Sequence, residues 1–486
     1  MDTEASRVQS AELGQDEVLD ALAPFATLPE WLVAGMQRDR VAESLVRHVP
    51  ELADGRLTLL RCTAHGLRAQ GSDWLTRYDV QVRSAEGGTR EIALTGTLRA
   101  PGRSLPHTTA PAIDGPPFGE PGWHDVLPDL GLEVRVQEHD EALPALPMLT
   151  EPASAAHLLQ PVLRQAGYDA ETIASCDPVV ARYKPGSRCT VVAHLGYLGE
   201  SPGPTPVVLK THRDDKGAAA WLAMNALWDR RESWERSVRL AEPLGYLPEE
   251  RILVQGPVPG DVTLKALARE AIAGGEATRL EGLRDELART ASALATVHAS
   301  GASYDRTATF EDELAGVAEV VDGLSLSVPE LSPAAAPLLR SMAADAAAEE
   351  PDPVVPAHHD FRPDQVLVDG RGVGFIDFDS ACAAEPALDL GRFCASLRDV
   401  GFSALGLSGE PLPAERVETN LSLLDDLCEH FVAEYQRHAP VSRARVRLWE
   451  TWDLMTMLLH AWTKVRLHRA EPRLTVLMHR LRAVEA

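Results

Sequence analysis

The sequence predicts an α+β chain folded in two lobes, with a small α+β accessory domain ahead of them. Three observations carry the prediction. Strand-like segments crowd residues 56–100 and return over 177–255, and the sequence beyond Gly260 turns Ala- and Leu-rich with helical periodicity. Between the two strand-rich regions, Pro and Gly punctuate Pro101 to Pro128 too often for regular structure. Sheet-rich sequence followed by helix-rich sequence reads as two packed lobes. The expected divisions are an accessory or cap domain with its linker at 1–148, a smaller sheet-containing lobe at 149–256, and a helical lobe at 257–486.

The elements follow in order. After a helical start, "RLTLLRCTAHGLRA", "WLTRYDVQVRS" and "REIALTGTLRA" alternate apolar and polar residues as strands of one antiparallel sheet, the last two joined by the turn "AEGG". "ASAAHLLQPVLRQAG" reads as a helix, and "DPVVARYKPGSRCTVVAHLGYL" as two strands around the turn "KPGS". "PVVLKTHRD" is a short apolar strand carrying Lys210 near its end. "DKGAAAWLAMNALWDRRESWERSVRLA" has helical character, and "RILVQGPVPG" is a strand that must break at Pro257. From there the chain stays helical, apart from "HHDFRPDQVLVDGRGVGFIDFD", where the tight turn "DGRG" joins two short apolar strands into a hairpin. In the last hundred residues, Leu448, Trp452, Met455, Leu459 and Trp462 recur at helical spacing as a core-facing stripe; a wall of an acceptor pocket is the minority reading. The basic residues among them (Arg443, Arg445, Arg447, Lys464, Arg466, Arg469) read as a solvated helix face.

Composition excludes several functions. The 47 Lys and Arg against 72 Asp and Glu leave a net charge of −25, which repels nucleic acid and anionic membrane. Six scattered cysteines without a CxxC pair read as reduced thiols, and no apolar run approaches a membrane span. The N-terminus lacks the basic and apolar regions of a secretory signal. The expectation is a cytoplasmic protein that binds neither nucleic acid nor membrane.

The chemistry concentrates in the hairpin. It would hold Asp360 and Gln365 near Asp377, and carboxylates brought together repel unless a hard divalent cation such as Mg²⁺ takes their oxygens and bridges them to phosphate. Here the sequence resembles the aminoglycoside phosphotransferase and choline kinase family, relatives of the protein kinases. Those proteins carry HGDxxxxN, then IDxx, then a later DL pair, against which stand "HHDFRPDQ", "IDFD" and "ALDL". Upstream, "VVLK" resembles the strand of the nucleotide-binding Lys, "ILVQGPVPG" the hinge, and "LATVHAS" the helix before the catalytic loop, so the resemblance covers about residues 150–480.

The resemblance implies a bilobal protein-kinase-like fold with ATP and Mg²⁺ as cofactors. It implies Asp360 as the catalytic residue toward an incoming hydroxyl, Lys210 on the nucleotide phosphates, Gln365 and Asp377 as metal ligands with Asp379 as a further candidate, and the backbone at Gln255 as the adenine site. Lys184 and Ser187 of "KPGSRC" would cover the phosphates through their amides. Gln365 stands where the family has Asn, as in maltokinase-like members, and His359 where it has Gly. The helix after Lys210 has no early Glu, leaving Glu232 or Glu235 as the nearest partners for that lysine. Asp389 reads as a brace for the catalytic loop and His358 as a core histidine. Expected is a phosphotransferase acting on a hydroxyl of a sugar, aminosugar or aminoglycoside-like molecule. The alternatives are a kinase for Ser or Thr of a peptide held by the N-terminal domain, and a pseudokinase that binds nucleotide or a partner without transfer.

Overall fold

The computed structural model describes residues 15–103, 116–137, 140–168, 172–198, 203–260, 262–370, 372–405 and 413–483. Four short helices, α1 (Gln15–Ala21), α2 (Glu30–Ala34), α3 (Arg38–His48) and α4 (Pro50–Ala53), lead into an antiparallel sheet of order β1-β2-β3-β5-β4. Its strands are β1 (Leu57–Gln70), β2 (Asp73–Ser84), β3 (Thr89–Leu98), β4 (His124–Leu127) and β5 (Leu132–Val136). Alternation along β2 turns Trp74, Tyr78, Val80 and Val82 inward, and the Tyr78 hydroxyl donates to the Gly35 carbonyl at 2.6 Å.

β4 falls inside the stretch expected to be linker, of which 104–115 lies outside the described residues. A four-residue edge strand pairs because Phe118 and Trp123 beside it are buried edge to face, 4.7 Å apart, so the segment docks despite its prolines.

The smaller lobe contains α5 (Leu146–Thr150), α6 (Pro152–Gln165), β6 (Ile173–Lys184), β7 (Arg188–Tyr197), β8 (Val207–His212) and α7 (Lys216–Trp228). It also takes β10 (Pro243–Leu247) and β11 (Ile252–Gln255) into a sheet of order β10-β11-β8-β7-β6, whereas the two-residue strand β9 (Arg239–Leu240) joins a sheet of the larger lobe. One face, with Val191, Leu209, Ile252 and Val254, packs on Leu159 and Leu163 of α6. The helix expected over 215–241 stops at Trp228, because the Trp234 indole folds back to donate to the Leu227 carbonyl at 2.9 Å and closes the last turn.

The larger lobe holds β12 (Val262–Thr263), α8 (Leu264–Gly274), α9 (Ala277–His298), α10 (Phe310–Ser325), α11 (Leu331–Ala348), β13 (Val355–Ala357), β14 (Val366–Val368), β15 (Val373–Phe375) and β16 (Cys382–Ala384). α12 (Pro386–Leu405), α13 (Ala414–Gln436), α14 (Arg443–Thr463) and α15 (Ala470–Arg482) complete it. The hairpin β14–β15 forms as expected, with Arg371 of its turn outside the described residues. α12 and α14 cross closely at Gly391, where a Cβ would lie 2.6 Å from the Glu450 amide nitrogen, so only glycine permits that approach.

Leu448, Trp452, Met455, Leu459 and Trp462 are all buried in the core, and of the basic run Arg447 and Arg466 are exposed and Arg443, Lys464 and Arg469 half-buried, so Arg445 alone departs from the solvated face expected. Arg445 is fully buried, its guanidinium paired with the Glu385 carboxylate, because a helix packed on all sides must neutralise every charge it carries inward. The N-terminal sheet and its helices pack on this lobe: the Trp462 indole donates to the Phe25 carbonyl at 3.0 Å, and the Ser327 hydroxyl to the Ser72 carbonyl at 3.0 Å. No helix among the described residues is long and apolar enough to cross a membrane.

Candidate active site

Strand alternation sets the first group. In β8, Leu209 faces α6, so Lys210 opposite Leu253 turns the other way, toward the larger lobe. Its ammonium reaches across to Asp377 Oδ1 at 2.6 Å and Asp379 Oδ1 at 2.8 Å. His212, two residues on and therefore on the same face, meets Asp379 Oδ2 at 3.1 Å, and Arg188 Nη1 lies 3.3 Å from the same oxygen.

Burial alone would raise the Asp379 carboxyl, but Lys210 and His212 outweigh it and hold the group well below the carboxylate range. Lys210 responds in kind: burial would lower its ammonium, and the two carboxylates keep it above its ordinary value. The expected Lys–Glu pair does not form. Glu232 and Glu235 are exposed beyond the end of α7, whose interior has no acid to offer.

The loop after β13 carries Asp360 on a braced backbone. Asp389, fully buried at the start of α12, accepts from the His358 amide at 2.7 Å, the His359 amide at 2.8 Å and the His298 ring at 3.1 Å. It is the brace that its position implies. Beneath the loop, Phe361 packs on Phe375 and Phe393, with ring centroids 4.9 and 5.4 Å apart, and Phe393 stacks on Phe431 at 4.1 Å. His358 is a core histidine, bonded through Nε2 to the Ile376 carbonyl at 2.9 Å.

His359 has φ of 67°, a conformation that a glycine adopts freely and a side chain adopts at roughly 1–3 kcal/mol. Its ring meets Glu313 Oε1 at 2.8 Å, which offsets that strain and fixes the ring. Asp377 is also left-handed, φ 73°, at the end of the hairpin.

Asp360 itself is part-buried, with Arg362 Nη2 at 2.9 Å from one carboxylate oxygen and Arg392 Nε at 3.3 Å from the other. Burial would raise its carboxyl, but the Arg392 and Arg362 charges bring it below the ordinary value. Arg392 lies over the Trp452 ring, 5.2 Å from its centroid, and 3.4 Å from Asp453 of α14.

The remaining candidates are also placed. Gln365 Nε2 is 3.3 Å from Asp377 Oδ2, so the amide lies beside the carboxylates with its nitrogen toward them. Gln255 ends β11, buried, its side chain donating to Met224 Sδ at 3.1 Å.

In the "KPGS" turn the amides are spent. The Gly186 nitrogen donates to Asp140 Oδ2 at 2.7 Å and the Ser187 nitrogen to the Lys184 carbonyl at 3.0 Å, while Pro185 has none. The Gly186 and Ser187 amides are therefore committed in this conformation, and the cations there for a phosphate are the side chains of Lys184 and Arg188.

The donor set fits a hard cation. Two carboxylates converge on one point with an amide side chain beside them, and that point is held here by the Lys210 ammonium, a positive charge among oxygens. Among the described residues no cluster of three His, Cys, Asp or Glu side chains has metal-binding geometry. Sequence reasoning missed Arg188, His212, Arg362, Arg392 and Asp453. Period-two alternation from Lys210 would have found His212; Arg392 and Asp453 meet Asp360 only through the α12–α14 crossing.

Residues 201–415 match the model of the phosphotransferase enzyme family, a span that holds Lys210, Gln255, Asp360, Gln365, Asp377, Asp379 and Asp389. The resemblance read from the motifs holds there. No curated protein matches the chain. Among solved structures, one similar to this chain is a glucosamine kinase in complex with glucosamine, ADP and inorganic phosphate, at 16% identity, covering 92% of this chain and 99% of that one, with a TM-score of 0.49. A choline kinase from Streptococcus pneumoniae shares 12% identity over 67% of this chain and 99% of its own, TM-score 0.40. A thermostable mutant of an aminoglycoside phosphotransferase shares 14% over 64% and 96%, TM-score 0.41.

Proposed function

We propose, with the phosphotransferase-family match as premise, that this chain transfers the γ-phosphate of ATP to a hydroxyl of a small molecule. The observation that carries the reading is the junction of the lobes. Lys210 from the smaller lobe meets Asp377 and Asp379 from the larger one, and Asp360 stands beside them on a loop braced by Asp389.

Phosphoryl transfer asks mainly for positioning and charge neutralisation, and these residues suit both demands. Asp377, Asp379 and Gln365 would hold Mg²⁺, which when bound supplies positive charge between the phosphates. Lys210, beside the two carboxylates, would pair with nucleotide phosphate. Because Arg392 and Arg362 keep Asp360 ionised, its role is to accept a hydrogen bond from the incoming hydroxyl and aim it, more than to act as a strong base. The adenine would lie against the backbone at Gln255, where β11 leaves the smaller lobe.

Gln365 beside Asp377 and the intact charged set weigh against a pseudokinase. No observation favours a peptide acceptor, since the N-terminal unit uses its surfaces at Phe25 and Ser72 to pack on the helical lobe. The test is ADP formation from Mg·ATP across pooled sugars, aminosugars, aminoglycosides and choline-like alcohols. Acceptor-dependent ADP that disappears in Asp360→Asn supports the reading; equal turnover in the variant refutes it.

A further inference from the structure

α14 is buried on nearly all sides, yet Asp453, Thr456, His460 and Lys464, spaced by three, four and four residues, form a polar stripe along one face. That stripe faces the catalytic loop: Asp453 contacts Arg392, which contacts Asp360. Buried polar atoms on and beside it have no hydrogen-bond partner, namely Asp453 Oδ2, Thr456 Oγ1 and Arg362 Nε. Asp453 is only 2% exposed, and buried polar atoms left without a partner are rare in folded proteins, so these three mark a place where a ligand completes the bonding.

The charge around that point is unbalanced. Lys464 at the end of α14 and Lys184 on the β6–β7 turn are both part-buried, and among the described residues neither has a carboxylate within 4.0 Å. Burial first, and then the charges of Arg473, Arg362 and Arg466, push the Lys464 ammonium down to about 8. Burial and then Arg188, Arg182, Lys464 and Arg362 push Lys184 down to about 7. Arg473 is already committed to Asp399, at 2.8 and 3.1 Å. In a protein with a net charge of −25, these two lysines stand without a close carboxylate.

Resting on the kinase reading above, we propose that the Asp453–Lys464 stripe is the acceptor wall and that it selects an anionic acceptor, a polyhydroxylated molecule bearing a carboxylate or a phosphate. Lys464 takes the anionic group. Asp453 Oδ2 and Thr456 Oγ1 take hydroxyls, and the Nε donor of Arg362 takes a further oxygen. Lys464 lies on the same face of α14 as Asp453, about three turns along it, which sets it with the acceptor in this proposal.

The experiment reads thermal stabilisation of the full chain with Mg²⁺ and saturating β,γ-imido-ATP, so that the γ-phosphate position is filled. D-glucuronate and D-glucose 6-phosphate are compared with D-glucose and D-glucosamine, in the parent, Lys464→Met and Lys464→Arg. The expected result is half-maximal stabilisation by an anionic sugar at about tenfold lower concentration than by the others, a preference lost in Lys464→Met and kept in Lys464→Arg. Glucuronate and glucose 6-phosphate as separate arms distinguish carboxylate from phosphate.

Preference for glucosamine, no stabilisation by any of the four, or a Lys464→Met variant that loses nucleotide affinity instead would each overturn the proposal. Failure of the kinase reading would show earlier and separately, as no stabilisation by the nucleotide itself.

Discussion

Asp389 touches no reacting atom, yet its removal should cripple the protein. Its carboxylate, fully buried, satisfies the amides of His358 and His359 and the ring of His298. Asp389→Ala leaves two buried amide donors with no acceptor, at about 1–3 kcal/mol each, or roughly 2–6 kcal/mol in all. For a lobe of this size each kcal/mol moves the melting temperature by about 2–4 °C, so the helical lobe should unfold roughly 5–20 °C earlier. Asp389→Asn keeps one oxygen but sets its NH₂ against an N–H, and should lose about half as much.

Differential scanning calorimetry reads both variants, with turnover measured well below the transition. The effect should fade in acid. Burial would raise the Asp389 carboxyl, but the His298 hydrogen bond and charge, with His358, outweigh it, so its folded value lies below 3.8. A depressed carboxylate stabilises fully above its unfolded value and loses that contribution as pH falls through the folded one, so the gap between parent and variant narrows below pH 3.8. A variant that melts with the parent while losing all transfer would refute the bracing role and make Asp389 a participant in the reaction.

Two further outcomes follow from the same geometry. Lys210→Met strips the buried counter-ion from Asp377 and Asp379, which should cost about 3–5 kcal/mol without metal; Mg²⁺ should then raise the melting temperature of the variant more than that of the parent, and an equal rise would count against Mg²⁺ in that site. Trp462→Phe keeps the ring packed on Phe25 but orphans the Phe25 carbonyl, at about 1–3 kcal/mol, so hydrogen exchange in α1 and α2 should quicken while that in β6–β8 stays unchanged.

Much of this was legible in sequence because it is local. Alternation over a dozen residues outlines β1, β2, β6 and β7 to within a few residues, and the "HHDFRPDQ" and "IDFD" spacing brings Asp360, Gln365 and Asp377 onto one hairpin. β9, two residues long, is too short for any period, and β4 hides among prolines because its stability comes from Phe118 and Trp123 packing.

The partners of Lys210 were misplaced for a different reason. The opposite charges that Lys210 meets are Asp377 and Asp379, 167 and 169 residues away, and no local rule selects them over Glu232. The polar face of α14 was obscured by the core stripe sharing its helix. Apolar periodicity shows that a helix is buried, and only tertiary contacts show which of its polar residues look into a site.

The central claim is that Asp360 aims an alcohol at the γ-phosphate of a nucleotide held between Lys210 and the Asp377–Asp379 carboxylates. Its most direct test is to label the γ-phosphate of ATP, incubate it with Mg²⁺ and a pool of hydroxyl-bearing small molecules including sugar acids, and follow the label by chromatography in the parent and in Asp360→Asn. With the parent, label is expected in a phosphomonoester of one acceptor, and with the variant none although nucleotide still binds. Label moving equally in both, or passing only to water in the parent, would contradict the claim.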